Sequence, residues 1–176
     1  MIIIKIGGAD SINLEAIVRD IVTLQDQVII VHGANAHRDK LLTHLNLEKK
    51  VITSLAGYSS VYSTREIIET MMMSYAGLIN KKIVELCQRY GINAVGLSGL
   101  DGGLIRGKRN KGFRAEINGK KKIVRDLSGK PHEINYELLN LLISNGYTPV
   151  ITMPILDEGG FAINSENDDV VVKLAA

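Results

Sequence analysis

GLINKKIVELCQRYGINAVGLSGLDG, residues 77–102, combines a helix pattern, a turn, a strand pattern and a glycine-rich loop. Apolar residues recur at helical spacing up to about Arg89, and Gly91 marks the turn that follows. The next five residues, 94–98, are apolar or small without polar alternation, which is typical of a strand buried on both faces. A helix that leads into such a strand is the repeating unit of a parallel sheet covered by helices, so we expect an α/β fold.

Similar strands recur along the chain, and helix patterns separate them. The other continuous apolar runs are 2–6, 28–31 and 147–152. Helix patterns lie at about 13–24, 36–46, 63–89, 135–144 and 168–175. Ser63 and Glu66 have the S-x-x-E spacing of a capping box at the start of the longest helix. Together these patterns predict a three-layer αβα sandwich with a mainly parallel central sheet.

The composition is that of an ordinary soluble domain, with 176 residues, 45% of them hydrophobic and 23% charged. No apolar run has membrane-spanning length and no signal peptide opens the chain, so we expect no membrane partner. Cys87, the one cysteine, lies in an apolar helical pattern and is interpreted as a core residue. A disulfide framework is thereby excluded, and a reducing cytoplasmic location is favoured.

Positive charge is concentrated in one segment, 106–130, which carries ten basic residues against two acidic ones, a net of +8. The rest of the chain carries eleven basic and seventeen acidic residues, a net of −6. Short β patterns within 103–126 and an NGK turn at 118–120 predict a basic β-hairpin excursion over about 103–130. Such a block indicates an acidic partner, although a solvated hairpin would have the same pattern. Nucleic acid is disfavoured because few aromatic residues are interleaved for base stacking.

Four polar clusters each follow an apolar segment: KIGG at 5–8, HGAN at 32–35, SGLDG at 98–102 and NSEND at 164–168. Ligands of open α/β sheets bind at the carboxyl ends of the strands, so we expect a ligand site there. The sequence has neither a P-loop nor a G-x-G-x-x-G motif. Its histidines lack carboxylate or cysteine partners at ligand spacing, so no metal site is predicted and His32 is interpreted as structural.

The order of these motifs resembles the amino acid kinase family. K-x-G-G, H-G-x-x, the 77–102 stretch, GYTPVITMP at 146–154 and N-x-x-x-D at 164–168 follow one another as in its acetylglutamate kinase branch. The basic excursion and SGKPHEIN at 128–135 are similar to the kinases of carrier-protein-dependent lysine biosynthesis. The resemblance covers essentially the whole chain and implies an amino acid kinase/carbamate kinase-like fold.

The resemblance implies transfer of the γ-phosphoryl group of ATP, with Mg²⁺, to a side-chain carboxylate, which gives an acyl phosphate. The substrate would be 2-aminoadipate or glutamate linked to a small acidic carrier protein, in lysine or arginine biosynthesis, and the enzyme would be a homodimer. The alternatives are an acetylglutamate kinase acting on free N-acetyl-L-glutamate and a non-catalytic binding lobe. A carboxylate is ionised at pH 7, so this reaction needs positioning and positive charge rather than a base.

The resemblance also implies roles for individual residues. Lys5 and Asp168 would be catalytic, with the alternative that Asp168 caps a helix. Gly7 and Gly8 would bind phosphate through backbone N–H groups. Substrate-binding positions are Gly33, Ala34, Asn35, Val61 and Asn164. Carrier-binding positions are Lys108, Arg109, Lys111, Lys120, Lys121 and Lys122.

Three departures from the family pattern stand out. Val61 occupies the position where this branch has an arginine that pairs with the substrate α-carboxylate, and Arg65 is the substitute we consider. Ala34 and Asn35 stand where the family has glycines. Residues 1–163 match a substrate-binding N-terminal lobe, and 164–176 match only the start of a nucleotide-binding lobe. The remainder of that lobe would be absent, and we expect weak or absent ATP turnover from this chain alone.

Overall fold

The computed structural model describes residues 1–53, 55, 57, 59–117 and 120–176. The first half of the chain forms β1 (Ile2–Ile6), α1 (Leu14–Val22), β2 (Val28–His32), α2 (Asn35–His44), β3 (Val51–Thr53), β4 (Ser59–Val61), α3 (Arg65–Met71), a π-helical segment (Met72–Ile79) and α4 (Asn80–Arg89). The second half forms β5 (Ala94–Ser98), a short 3₁₀ turn (Asp101–Gly103), β6 (Ile105–Arg109), β7 (Phe113–Ile117), β8 (Lys120–Val124), β9 (Gly129–Ile134), α5 (Tyr136–Ser144), β10 (Thr148–Thr152), β11 (Ile155–Leu156), β12 (Ala162–Ile163) and α6 (Asn167–Ala175).

The main sheet has four parallel strands in the order β1-β2-β10-β5. All five residues of β2 are buried, as expected for a central strand that is apolar along its whole length. Helix α4 packs against β5 and β10, α5 packs against β10, and α6 packs against β1 and β2. The predicted α/β fold with a mainly parallel central sheet is therefore confirmed.

The basic segment is attached to a second, mixed sheet in the order β12-β11-β6-β9. Strand β9 was not predicted from the sequence, and it pairs antiparallel with β6. Strands β7 and β8 form an antiparallel hairpin of their own, as the sequence pattern predicted. The predicted turn at 118–120 falls largely on residues 118 and 119, which lie outside the described residues.

The predicted long helix begins later than expected and changes its winding in the middle. Its N-cap is Thr64, whose side-chain oxygen accepts from the Ile67 N–H at 3.4 Å. The predicted capping box at Ser63 is wrong, because the backbone N–H of Ser63 donates instead to Asp126 Oδ2 at 3.0 Å. The π-helical segment Met72–Ile79 joins α3 to α4, and such segments are typical of functional regions.

The core lies between the main sheet and its helices. Ile30, Val31 and Ile151 of the sheet and Ile83 of α4 are fully buried. Cys87 is also fully buried, as predicted, and this burial raises the pKa of its thiol to about 11. At neutral pH the thiol is therefore protonated and has the character of a small apolar side chain.

Candidate functional site

The loops after β1 and β2 lie against each other at the carboxyl edge of the main sheet. The Gly33 N–H donates to the Ile6 carbonyl at 2.9 Å, and the Ala36 N–H donates to the Gly8 carbonyl at 2.9 Å. Because β1 and β2 are parallel neighbours, their polar ends meet at one edge. Two of the four predicted polar clusters are thus brought together.

Gly8 is the point at which these two loops come closest. A Cβ atom built on Gly8 would lie 2.5 Å from the Asn35 nitrogen and 2.7 Å from the Ala34 nitrogen. A Cβ atom on Gly33 would lie 3.1 Å from Asn167 Nδ2 and 3.2 Å from the Gly8 nitrogen. Glycine is needed at position 8 because backbone, not a movable side chain, occupies the space.

We expect Gly8→Ala to lower the free energy of unfolding by about 1–3 kcal/mol, because the added methyl group must displace backbone. Urea unfolding followed by circular dichroism measures this change. Gly77→Ala is the matched control, since its methyl group would meet Met72 O at an ordinary van der Waals distance of 3.4 Å. Equal stabilities of the two variants would contradict this close approach.

The two predicted catalytic residues form an ion pair at the same edge. Lys5 Nζ lies 2.6 Å from Asp168 Oδ1, with the lysine on β1 and the aspartate in the first turn of α6. Their side chains are 40% and 73% exposed, so a ligand can reach both. Asp168 is not the helix cap, because Glu166 occupies that position. The α6 N-terminus nevertheless favours a negative charge at Asp168.

A polar cavity of about 240 Å³ brings three predicted substrate positions together. Asn35, Val61 and Asn164 line this cavity, which we call the substrate cavity. Arg38 and Tyr75 line it too, although the sequence did not single them out. The remaining positions lie in an adjoining depression of about 40 Å³, whose walls include the predicted residues Gly7, Gly8, Gly33 and Ala34.

Arg38 and Tyr75 both contact Asn35. The Tyr75 hydroxyl donates to Asn35 Oδ1, and Arg38 Nη1 donates to the same oxygen at 3.4 Å. Burial raises the pKa of Tyr75, so its phenol stays a neutral donor. One signal could have identified Arg38, since it lies one helical turn after Asn35 on α2, directly behind the HGAN loop. Tyr75 had no such local signal.

His32 is fully buried at the end of β2, where it contacts Gly33 of the site and Asn80 of α4. Its Nδ1 lies 3.2 Å from the Gly33 carbonyl, and its Nε2 lies 3.2 Å from Asn80 Nδ2. These partners assign the proton to Nδ1, because a carbonyl accepts and an amide nitrogen donates. Burial lowers the pKa of His32 to about 4, so the ring is neutral at pH 7. The structural role predicted for His32 agrees with these contacts.

The polar groups of the cluster after β5, SGLDG at 98–102, form hydrogen bonds within the protein. The Ser98 N–H and hydroxyl donate to Asp101 Oδ2 at 2.6 and 2.8 Å. Asn135 Nδ2 donates to the Gly102 carbonyl at 3.0 Å, which ties this turn to the start of α5. This cluster therefore has a structural role in the fold.

The predicted carrier-binding residues lie on and around β6 and β8. Arg109 has contacts within the protein: its backbone N–H donates to Glu158 Oε2 at 3.0 Å, and its side-chain Nη1 lies 3.9 Å from Asp157 Oδ2. The lysines are different, because no ion pair within 4.0 Å involves them in the described part of the chain. These lysines are Lys108, Lys111, Lys120, Lys121 and Lys122, all of them exposed.

The described residues contain neither a candidate metal site nor a candidate membrane-spanning helix. Over 1–53, 55, 57, 59–117 and 120–176, no three His, Cys, Asp or Glu side chains cluster in a way that could hold a metal ion. Within the same ranges, every helix is too short or too polar to cross a membrane.

Comparison with known proteins identifies the family. The profile of the amino acid kinase family matches residues 1–176. The chain belongs to the amino acid kinase family. It is 40% identical over 179 residues to the [LysW]-aminoadipate kinase of Thermus thermophilus, and 39% identical over 180 residues to that of Deinococcus radiodurans. The alignments cover 99% and 100% of this amino acid kinase chain but only 66% and 62% of those relatives, less than two thirds of their length.

Solved structures agree with this assignment at the level of the fold. The protein smu.665 from Streptococcus mutans UA159 matches with a TM-score of 0.74 at 20% identity, covering 99% of this chain and 68% of that one. A carbamate kinase from Giardia matches with a TM-score of 0.59 at 14% identity, covering 98% and 67%. The predicted amino acid kinase/carbamate kinase-like fold is confirmed by these likenesses.

Proposed function

We propose that the protein carrying this chain transfers the γ-phosphoryl group of ATP, as its Mg²⁺ complex, to the side-chain carboxylate of an amino acid. The product would be an acyl phosphate, formed in lysine or arginine biosynthesis. The observation that carries this proposal is the Lys5–Asp168 ion pair, in which Asp168 directly follows Asn167 of the substrate cavity wall, together with the approach of Gly8 to Asn35 of the same wall. The names of the relatives favour 2-aminoadipate or glutamate as the amino acid.

The residues at this edge suit phosphoryl transfer to a carboxylate. Lys5 would neutralise charge on the transferred group, and Asp168 would hold the lysine in place. Backbone N–H groups at Gly7 and Gly8 would bind phosphate oxygens, because successive main-chain amides in a turn form a fixed set of donors for an anion. Asn35 and Asn164, in the wall of the substrate cavity, would orient the amino acid. No general base is required, since the attacking carboxylate is already ionised.

The assignment of the chain to two lobes is part of the same proposal. Residues 1–163 would form the substrate-binding lobe, and residues 164–176 would begin a nucleotide-binding lobe. The position of Asp168 in α6, facing Lys5 of β1, supports a site that lies between these two parts.

The substrate would be presented on an acidic carrier protein. The exposed lysines of the basic segment, Lys108, Lys111, Lys120, Lys121 and Lys122, would attract and orient that carrier. Arg109 would contribute less, because its guanidinium group already faces the carboxylate of Asp157. The net charge of +8 in this segment, against −6 in the rest of the chain, supports a binding site for an acidic carrier.

A kinase assay with the complete gene product tests both the phosphoryl transfer and the carrier site. With ATP–Mg²⁺ and carrier-linked 2-aminoadipate, hydroxylamine should trap the acyl phosphate as a hydroxamate. We expect Lys121→Glu/Lys122→Glu to raise KM for the carrier-linked substrate at least about tenfold. Added salt should reduce the difference in KM between this variant and the wild type, because salt screens the charges. The control Lys82→Glu/Arg89→Glu reverses the same charge on the exposed face of α4. Absence of hydroxamate would contradict the kinase proposal, and equal KM values would contradict the carrier site.

A homodimer and a cytoplasmic location complete the proposal. Met71 lies in the core, but Met73 and Leu78 of the π-helical segment are 48% and 46% exposed. Exposed apolar side chains on one helix favour contact with a second copy of the chain. The single buried cysteine suits a reducing compartment.

A further inference from the structure

Arg38 is a buried cation in the wall of the substrate cavity. The residue is 6% exposed, and it is the one cation among the described residues that line this cavity. Buried arginines are normally paired on all sides, because an unpaired buried charge is costly. The contacts of Arg38 therefore show whether it has capacity for a ligand.

The guanidinium group of Arg38 is only partly used. Nε and Nη2 donate to a single oxygen, Asp39 Oδ1, at 2.9 and 2.8 Å. Nη1 has only a long contact of 3.4 Å, with Asn35 Oδ1. Since an arginine has five N–H donors, two remain without a partner among the described residues.

The charge of Arg38 is also only partly balanced. Asp39 shares its carboxylate with Lys49, whose Nζ lies 2.6 Å from Oδ2. One negative charge thus serves two positive ones, and a net positive charge remains beside the cavity. Glu166 lines the cavity as well, but it is exposed, so water screens its charge.

The cavity wall contains further unused hydrogen-bonding groups. Ser165 Oγ and Asn167 Oδ1 are buried and have no hydrogen-bond partner among the described residues, and both residues line this cavity. Buried polar atoms without partners are rare in folded proteins, and a ligand is one explanation for them. A cation with free donors, together with a free hydroxyl, suits a carboxylate.

We propose that Arg38 binds the α-carboxylate of the amino-acid substrate, at the end of the cavity where Val61 can make no such contact. The assignment rests on the proposed function, because it takes the substrate to be an N-linked dicarboxylic amino acid. The planar guanidinium can hold a carboxylate with two parallel hydrogen bonds. Arg65, the substitute considered from the sequence, is exposed, pairs with Glu69 at 2.9 Å and is not among the described lining residues.

This arrangement also orients the rest of the substrate. Asn35 belongs both to the substrate cavity and to the loop that touches Gly8. Asn167 lines the cavity, contacts Gly33 and precedes Asp168. An α-carboxylate bound at Arg38 therefore leaves the side-chain carboxylate free to extend toward the glycine loops and the Lys5–Asp168 pair.

Calorimetric titration of the complete gene product tests the assignment with two probes, N-acetyl-L-2-aminoadipate and its α-carboxamide. The wild-type chain should bind the acid about 10- to 100-fold more tightly than the amide. Arg38→Met should lose this preference and bind both probes with the affinity of the amide. Adding Val61→Arg to Arg38→Met should restore part of the preference, since both positions line the same cavity.

Controls separate binding from folding. Lys49→Met also removes a partner of Asp39 but does not alter the cavity wall, so it should keep the preference. If Arg38→Met does not fold, the titrations are followed instead by ¹⁵N NMR spectra of the arginine side chains of the wild-type protein. The spectrum of Arg38→Lys then identifies the signal of Arg38. The Arg38 Nε–H signal should shift with the acid and stay unchanged with the amide.

The possible results distinguish the two proposals. A preference for the acid that survives in Arg38→Met, or an Arg38 signal that both probes leave unchanged, would overturn the Arg38 assignment and leave the proposed function intact. A wild-type chain that binds neither probe would overturn the substrate class, and the assignment with it.

Discussion

Replacing Lys5 with methionine is expected to lower kcat for phosphoryl transfer by about 10²- to 10³-fold, the usual effect of removing one transition-state contact. Methionine keeps the length of the side chain and removes its charge. The assay is hydroxamate formation by the complete gene product, with ATP–Mg²⁺ and carrier-linked substrate. KM should change little, because the proposed contact of Lys5 is with the phosphoryl group in transit rather than with the bound amino acid.

The structure explains why this effect would be catalytic rather than structural. The Lys5–Asp168 pair is partly exposed, at 40% and 73% of its side chains, and exposed ion pairs contribute only about 0–1 kcal/mol to stability. Lys5→Met should therefore fold as the wild type does. Asp168→Asn should reduce kcat less, because it weakens the orientation of Lys5 but leaves its charge in place.

Arg19→Met is the matched control for Lys5. Arg19 also forms an exposed ion pair, with Nη2 3.5 Å from Glu15 Oε1 on α1, and neither residue lines the substrate cavity or the depression at the glycine loops. We expect its kcat to stay within about twofold of the wild type, since surface pairs have small effects. A loss of less than tenfold in Lys5→Met would show that Lys5 does not contact the transferred group.

Acidification from pH 7 to pH 5 is expected to lower the free energy of unfolding by about 2 kcal/mol through His32 alone. The buried ring has a pKa of about 4 in the folded chain, against 6.5 as its ordinary value. Between these values the unfolded chain binds more protons, so stability rises with pH. The contribution is complete above pH 6.5 and is lost as the pH falls toward 4, by roughly 3 kcal/mol in all.

Urea unfolding at pH 7, 6 and 5 measures this contribution as a slope. The relevant comparison is the change with pH, because any substitution of a buried residue also alters stability at pH 7. His32→Gln should flatten the slope, whereas His132→Gln, at an exposed position on β9, should leave it as in the wild type. The window above pH 5 lies clear of the ordinary titration range of carboxylates. Equal slopes in all three proteins would contradict a neutral, buried His32.

Local sequence patterns were sufficient for the main sheet and for its ligand edge. The runs 2–6 and 28–31 are almost continuously apolar, which is typical of strands in a parallel sheet covered by helices. Strand β2 is fully buried, whereas β1, at the edge of the sheet, is only partly buried. Lys5 lies near the end of β1, and Gly8 and Gly33 lie in the loops after β1 and β2, so their position at one edge of the sheet is a consequence of the strand direction. Each of these inferences needs information from only a few neighbouring residues.

The helix start near residue 64 was decided by a distant contact. Ser63 matched the local capping pattern, but Asp126, 63 residues further along the chain, accepts its N–H. The cap therefore moves to Thr64. Strand β9 depends in the same way on pairing with β6, because a strand that contains a proline has little local signal.

The sequence by itself determined the α/β architecture, the family and the grouping of Lys5 with the glycine loops, because strand burial and strand direction follow from short-range periodicity. The tertiary structure alone decided which side chains complete the site. Tyr75 meets Asn35 across 40 residues, and Arg38 lines a cavity whose wall also includes Val61 and Asn164. These contacts depend on how helices pack on the sheet, and no pattern along the chain encodes that packing.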